Sequence, residues 1–362
     1  MSIQKYRNSR GVHWAVFFTR PDGRRSCKRG FTTKAAAKAW EATNTSAILT
    51  GEWIDHEGGR TYLKEVGDKW VEAQTHLKPS SYKAVRDAYR LRVRPTFGDT
   101  QLADIRHSDV KAWLAQLRTA DGKRPLAATG RRYAYQVINC ILDTAVRDGL
   151  IGANPAKGIP LPKKHSKRQV FFTNEQLHQL AAQCGEYRLL ILLLGYTGLR
   201  WGEAIALTGD DVNLLTRRIN IDKNVVWLDG TPVAGTPKSG KGRTVPIPGF
   251  LVSELADLVE KTGSGLLWAG ADGNYLPRPP SQRGWFQQAL KSANLPRITP
   301  HDLRHTAASL AVQSGANVKT IQRMLGHASA AMTLDVYAAL FDDDLDEVAR
   351  RMDERVRLLG LA

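Results

Sequence analysis

The chain has 362 residues, 42% hydrophobic and 24% charged, a globular composition too long for one ordinary core. Lysine and arginine number 52 against 35 acidic residues, a formal net charge of +17 with a pI near 9.9. That excess points to a polyanionic partner, because each neutralised phosphate releases counterions, although solubility charge is the plainer reading. Cys27, Cys140 and Cys184 are too far apart for a CxxC site, and a disulfide framework is not expected. No apolar run reaches membrane-spanning length, and MSIQKYRNSRG lacks the apolar core of a signal peptide, so an intracellular, cytoplasmic protein is expected.

Residues 1 to about 50 predict a small sheet and a helix. GVHWAVFFTR (11–20) reads as a strand, PDG (21–23) as a turn and RRSCKRGF (24–31) as the returning strand. TTKAAAKAWEAT (32–43) predicts a helix with a threonine N-cap. Between Lys5 and Arg29 lie eight basic residues, Lys5, Arg7, Arg10, Arg20, Arg24, Arg25, Lys28 and Arg29, opposed by Asp22 alone. A two- or three-stranded sheet so charged can enter a DNA groove; it can also be a solvated face.

Residues 60 to about 152 predict helices throughout. TYLKEVGDKWVEAQ, SYKAVRDAYRLRV, SDVKAWLAQLRTA and ATGRRYAYQVINCILDTAVRDG carry apolar residues three and four apart. Ser108 is the expected N-cap of the third, and Gly149 the expected residue just past the end of the fourth. Lys83, Arg86, Arg90, Arg131 and Arg132 lie on polar faces; singly they are solvated charges, together they fit a phosphate clamp. NPAKGIPLPKKHSKRQ (154–169) is a proline-broken linker made basic by Lys163, Lys164, Lys167 and Arg168.

Residues 170 to 362 read as mixed α/β, mainly helical. Thr173 and Gln176 spell a capping box that opens a helix through Cys184, and YRLLILLLGYTG is a buried helix ended by Gly198. In TGLRWGEAIAL, Arg200 is placed for an anion, or simply paired with Glu203. RRINIDKN, VVWL and TVPIP are strand-like, and GTPKSGKGR is a mobile hairpin tip carrying Lys238, Lys241 and Arg243. It lacks the order and the following helix of a P-loop; a flexible lysine there can act as a proton donor, or the tip can be a solvated turn.

TPHDLRHTAAS (299–309) nearly spells the zinc-protease motif. Thr299 as N-cap, Pro300 as first helical residue and Asp302 in the first turn instead start a helix, with the acid aimed at backbone N–H groups. His301, Arg304 and His305 then share a face, and the arginine between the histidines repels a divalent ion and suits a phosphate. Further on, IQRMLGHASAAMTLDVY (321–337) supplies His327 after a helix-ending Gly326, and Tyr337. A tyrosine there is ordinarily a packing residue; beside several cations it can be a nucleophile on phosphorus.

In this order TGLRWGE, TPKSGKGRTVPIP, HDLRHTAAS and LGHASAAMTLDVY resemble the boxes of the tyrosine recombinases of the phage-integrase type. The resemblance covers the whole chain. It implies a multidomain fold: an arm-type DNA-binding sheet and helix over 1–55, an all-α core-binding domain over 56–153, the linker over 154–169, a mixed α/β catalytic domain over 170–340 and a tail helix over 341–362. It implies Tyr337 as the nucleophile that forms a 3′-phosphotyrosyl link, Arg200 and Arg304 as the grip on the non-bridging oxygens, and Lys238 as the proton donor to the 5′-oxygen. His301 assists proton transfer at the tyrosine, His327 donates to the phosphate, Glu203 supports the site, and His305 is left as a structural residue. No cofactor or metal is expected. The expected partners are core-type and arm-type attachment sites on duplex DNA, a homotetramer, a host DNA-bending protein and an excision factor; a membrane is not among them. The tail's stripe of Leu345, Val348, Met352, Val356 and Leu359 packs on its own domain or docks on a neighbouring protomer. A type IB topoisomerase, a two-domain chromosome-resolving recombinase and a non-catalytic DNA-binding regulator are the rival readings.

Overall fold

A computed structural model describes residues 2–9, 11–51, 53–55, 58–163, 169–237, 240–338 and 345–361. The chain divides into two compact units, Met1–Ser166 and Lys167–Ala362.

The first unit opens with an antiparallel sheet of β1 (Ser2–Asn8), β2 (Gly11–Thr19) and β3 (Arg25–Phe31), in that order. Ala15, Val16 and Phe18 are buried, and Phe18 and Phe31 set their rings 5.4 and 5.8 Å from Trp40 of α1 (Lys34–Thr50). Thr33 caps that helix, its hydroxyl accepting the Ala36 N–H at 3.1 Å, and Gly51 ends it at φ 76°. The helix therefore runs well past the predicted end at residue 43. Between Trp14 and Val16 the register with β3 slips, placing an extra residue on β3 where Gly30 adopts φ 96°.

Among the described residues five α-helices follow: α2 (Leu63–Glu72), α3 (Pro79–Ala88), α4 (Arg94–Phe97), α5 (His107–Gln116) and α6 (Ala128–Arg147). Leu63, Val93, Val110, Ile138, Ile141 and Leu142 form the centre of their shared core. Between α3 and α4 one π turn spans Tyr89–Val93; Pro95 has no N–H to offer Leu91, so regular hydrogen bonding cannot run through this point. The Tyr89 ring turns in under α2, where a Cβ on Gly67 would lie 2.6 Å from it. Ser108 is not the N-cap of α5: the helix starts one residue earlier, and the Asp109 carboxylate accepts the Arg106 N–H at 3.1 Å. A carboxylate at the third helical position holds the N–H of the cap residue and suits the positive helix start, so the cap is Arg106, two residues before Ser108. Gly149 follows α6 at φ 69°, as expected.

The second unit starts with α7 (Asn174–Ala182), capped as predicted by reciprocal bonds between Thr173 and Gln176 at 3.1 and 3.3 Å. Then come α8 (Arg188–Thr197), α9 (Trp201–Ala204), β4 (Val212–Asn213), β5 (Arg218–Ile221), β6 (Asn224–Leu228), β7 (Thr231–Gly235), β8 (Arg243–Pro246), α10 (Val252–Thr262), α11 (Trp285–Ser292), α12 (Asp302–Gln313), α13 (Val318–Leu325), α14 (Ala330–Tyr337) and α15 (Leu345–Leu358). β4, β5 and β8 make one antiparallel sheet and β6 with β7 a separate hairpin. Leu190 to Leu194 of α8 are wholly buried, and α12 packs along this helix. That packing carries the start of α12 to the end of α8, where the site lies.

Candidate active site

Gly198 ends α8 at φ 67°, and a Cβ there would lie 2.5 Å from Leu325. This close approach brings the α8 terminus against the end of α13. Into the junction points Arg304 of α12, only 3% exposed. Its guanidinium donates to the carbonyls of Gly198 at 2.6 Å and Leu325 at 2.5 Å. Both are orphan carbonyls at helix ends, so the arginine satisfies them while they fix its plane. Burial, with the like charge of Arg200 adding to it, brings its pKa down to about 9, which leaves it cationic at neutral pH.

Arg200 stands at the N-cap of α9, with Glu203 three residues on and fully buried. The Glu203 carboxylate accepts from the Arg200 backbone N–H at 2.9 Å and from its guanidinium at 2.8 Å. Arg243, at the start of β8, grips the same carboxylate with two bonds, at 2.9 and 2.7 Å, and donates its Nε to the Met324 carbonyl at 3.0 Å. Burial pushes the Glu203 pKa up, but the Arg243 fork and then Arg200 outweigh it and hold it at about 2. One carboxylate thus ties the β8 strand, the end of α13 and Arg200 together. The sequence predicts Arg243 on the mobile tip; it points inward instead, on the same side of β8 as the buried Val245. The i, i+2 spacing with Val245 is the signal that locates it.

The helix start at TPHDLRHTAAS follows the expected devices with a shift. Thr299 donates its N–H and hydroxyl to Asp302 at 2.7 and 2.8 Å, and the α-helix itself begins at Asp302. His301 and His305 are neighbours with ring centroids 5.5 Å apart. Tyr337, the last residue of α14, is 1% exposed, and its Oη lies 2.8 Å from His305 Nδ1. The hydrogen bond to the tyrosine is therefore made by His305, the histidine expected to be structural, and among the described residues none joins His301 to Tyr337. No local pattern signals this pairing, because the two partners are 32 residues apart.

Gly326 ends α13 at φ 65°, and the turn places His327, whose Nδ1 is bonded to Thr333 at 2.9 Å. Arg200, His301, Arg304, His305, His327 and Tyr337 line one cleft of about 380 Å³. Burial pushes the Tyr337 phenol up to about 12, with Arg304 pulling it the other way. Burial and the nearby cations lower all of His301, His305 and His327, with His301 and His327 each brought down to about 4. At neutral pH the cleft holds guanidinium cations, neutral imidazoles and a protonated phenol. Such a set has the chemistry to bind a phosphate and to offer neutral proton acceptors beside a hydroxyl. Among the described residues no three His, Cys, Asp or Glu side chains gather as a metal ion would require.

Lys238 lies outside the described residues, as do Arg10, Lys164, Lys167 and Arg168. Lys5, Arg7, Arg24, Arg25, Lys28, Arg29, Arg132 and Lys163 are described, and most of them stand exposed. Pairing sets Lys5 against Trp14 and Arg7 against Val12, but Arg25 against Thr19, so the basic residues divide between both sheet faces. Lys83 and Arg86 share Asp87 as a partner. Arg131 and Arg132 donate to the Leu126 and Pro162 carbonyls, at 2.8 and 3.2 Å.

Residues 170–343 match the phage integrase family, and residues 62–118 its N-terminal SAM-like domain. The integrase of Mycobacterium phage D29 is 28% identical over 344 residues, covering 90% of this chain and 89% of that protein. A tyrosine recombinase of Thermosipho africanus is 25% identical, over 80% of this chain and all of its own length. In fold the chain is similar to the Tn1549 transposon integrase in complex with transposon right end DNA (TM-score 0.65, 21% identity, 82% of this chain and 100% of that one). It is similar also to a lambda integrase tetramer bound to a Holliday junction (TM-score 0.60, 18% identity, 90% and 96%). The chain belongs to the phage integrase family of tyrosine recombinases.

Proposed function

We propose that this chain is an integrase: a site-specific DNA recombinase that cuts and rejoins duplex DNA through a 3′-phosphotyrosyl intermediate, integrating and excising a phage or other mobile element. The observation that carries this reading is the single cleft in which the Tyr337 hydroxyl meets Arg200, Arg304, His301 and His327. Attack at phosphorus gathers negative charge on the non-bridging oxygens, and fixed cations stabilise it without reorganising. Arg304, anchored by two carbonyls, and Arg200, oriented by Glu203, take that role. His327 faces the same oxygens as a hydrogen-bond donor, and His301 lines the cleft beside it. Lys238, in the segment between β7 and β8, protonates the departing 5′-oxygen. The energy kept in the phosphotyrosine lets the 5′-hydroxyl of another strand attack later, so strand exchange needs no ATP.

Duplex DNA and a tetramer spanning two attachment sites are the partners, supported by the DNA-bound lambda integrase tetramer that shares the fold. Lys5, Arg7, Arg24, Arg25, Lys28 and Arg29 would contact phosphates of an arm-type site, and Lys83, Arg86, Arg131, Arg132 and Lys163 those of a core-type site. The tail helix α15 docks on a neighbouring protomer; removing residues after 341 should weaken synapsis and spare single-site binding. The deciding experiment incubates the full chain with a nicked duplex that traps cleavage. An SDS-stable adduct that forms in EDTA and vanishes in Tyr337→Phe is expected. No adduct in the parent protein would point to a DNA-binding regulator, and cleavage without partner-strand joining to a topoisomerase.

A further inference from the structure

The hydroxyl that attacks must lose a proton, and Tyr337 is a buried phenol that holds its proton at neutral pH. Among the described residues its hydroxyl has one hydrogen-bond partner, Nδ1 of His305 at 2.8 Å. With no other acceptor for the buried phenolic O–H among the described residues, we assign Tyr337 as the donor and Nδ1 as the acceptor, so that the neutral ring carries its proton on Nε2. His305 occupies a particular place: it lines the cleft with Tyr337 and also a second cleft, of about 560 Å³, bounded by Ser281, Arg297, Thr299 and Asp302. Among the described residues no other lines both. The second cleft carries Asp302, whose carboxylate is held by Thr299 and whose charge favours a protonated His305, while Arg304 opposes it.

Resting on the proposed function, we infer that His305, not His301, is the catalytic base that takes the phenolic proton of Tyr337, with the second cleft as its route to solvent. As the Oη–phosphorus bond forms and the phosphorus–O5′ bond breaks, the phenolic proton passes to Nδ1 of His305. The departing 5′-oxygen takes its proton from a separate donor, the hairpin lysine. Nε2 can then release a proton away from the phosphate, toward Asp302 and solvent. In rejoining, the 5′-hydroxyl gives its proton back to the hairpin lysine as it attacks phosphorus, and as the Oη–phosphorus bond breaks His305 returns the Nδ1 proton to the tyrosine oxygen while Nε2 regains one from the second cleft. His301 is left free to face the phosphate.

The test uses the full chain and a nicked duplex bearing the core sequence that the chain itself selects from a random pool. His305→Asn keeps an acceptor where Nδ1 stood but cannot hold a proton; it should slow adduct formation by about 10²–10⁴-fold with DNA binding unchanged. Placing a ring-fluorinated tyrosine, whose phenol ionises near neutral pH, at position 337 should restore most of that rate, because the nucleophile no longer needs a base. A merely structural His305 would show no such recovery. Should the Asn variant fold poorly, His305→Ala supplemented with imidazole gives the second reading, and recovery of rate is again expected. An Asn variant that reacts at the parent rate, or a well-folded variant that neither fluorination nor imidazole restores, overturns the assignment to His305 alone. No adduct even in the parent chain overturns the proposed function, and this inference with it.

Discussion

Two sets of cations in this molecule face opposite physical problems. On the N-terminal sheet Lys5, Arg7, Arg24, Arg25, Lys28 and Arg29 reach solvent, and both faces carry charge. In the cleft with Tyr337 the guanidinium of Arg304 is nearly enclosed, as is that of Arg243 outside the cleft on Glu203, and each is fixed by two or more acceptors. Exposed cations gain affinity by releasing counterions and lose it to salt; their geometry is free. Enclosed ones give up hydration beforehand and have their planes fixed, so their charge acts on the cleft without reorganising. The first set suits holding a polyanion, the second suits reacting with one.

The sharpest way to break this contrast is Arg304→Lys. A lysine cannot span the Gly198 and Leu325 carbonyls and the cleft together, and single-turnover adduct formation should fall by about 10²–10³-fold. A near-parent rate would mean that fixed geometry is unimportant. Next is Arg243→Met, which strands part of the buried Glu203 charge and should cost about 3–5 kcal/mol by denaturant unfolding. Glu203→Met with Arg243→Met together should cost clearly less than the two single changes summed, since no unpaired carboxylate is left.

A milder test is pH. His301 and His327 bind protons less readily folded than unfolded, so the unfolded chain holds more protons between the ordinary histidine value of about 6.5 and the lowered value of about 4. Stability of the second unit should therefore fall as pH drops through that window, and His327→Asn should flatten the slope. Glu203 is lowered too, so the stability it contributes is present above its ordinary value of 4.5 and disappears only as pH falls toward about 2. The smallest effects are expected on the sheet: Lys5→Ala, Arg7→Ala and Arg29→Ala should each reduce the salt slope of DNA binding by about 0.9 for every phosphate that is no longer neutralised. Cleavage of bound DNA should not change; a slowed cleavage step would mean the two sets are coupled.

Local chemistry makes much of this legible. The Thr173–Gln176 capping box, the glycine stops at Gly149, Gly198 and Gly326, and the apolar run of α8 all act within a few residues, so the chain spells them directly. The boxes around Arg200, Arg304, His327 and Tyr337 can be read in order, and they do meet in one cleft. The shortfalls have particular causes. Ser108 falls inside the first turn because the Asp109 carboxylate, third in the helix, fastens the Arg106 N–H and so makes Arg106 the N-cap. Arg243 reads as a loop residue because its glycine-rich flank outweighs a short alternating strand.

What the sequence determined by itself was many of the elements, several of their caps and the residue types of the site, because these depend on neighbours along the chain. Only the tertiary structure decided who touches whom. Packing of α12 on α8, with α13 and α14 folding back behind them, set Arg304 on two helix ends, gave Glu203 to Arg243 as well as Arg200, and put His305 rather than His301 on Tyr337. Hydrogen bonds across 21 to 106 residues depend on how whole helices meet, which no short stretch encodes alone.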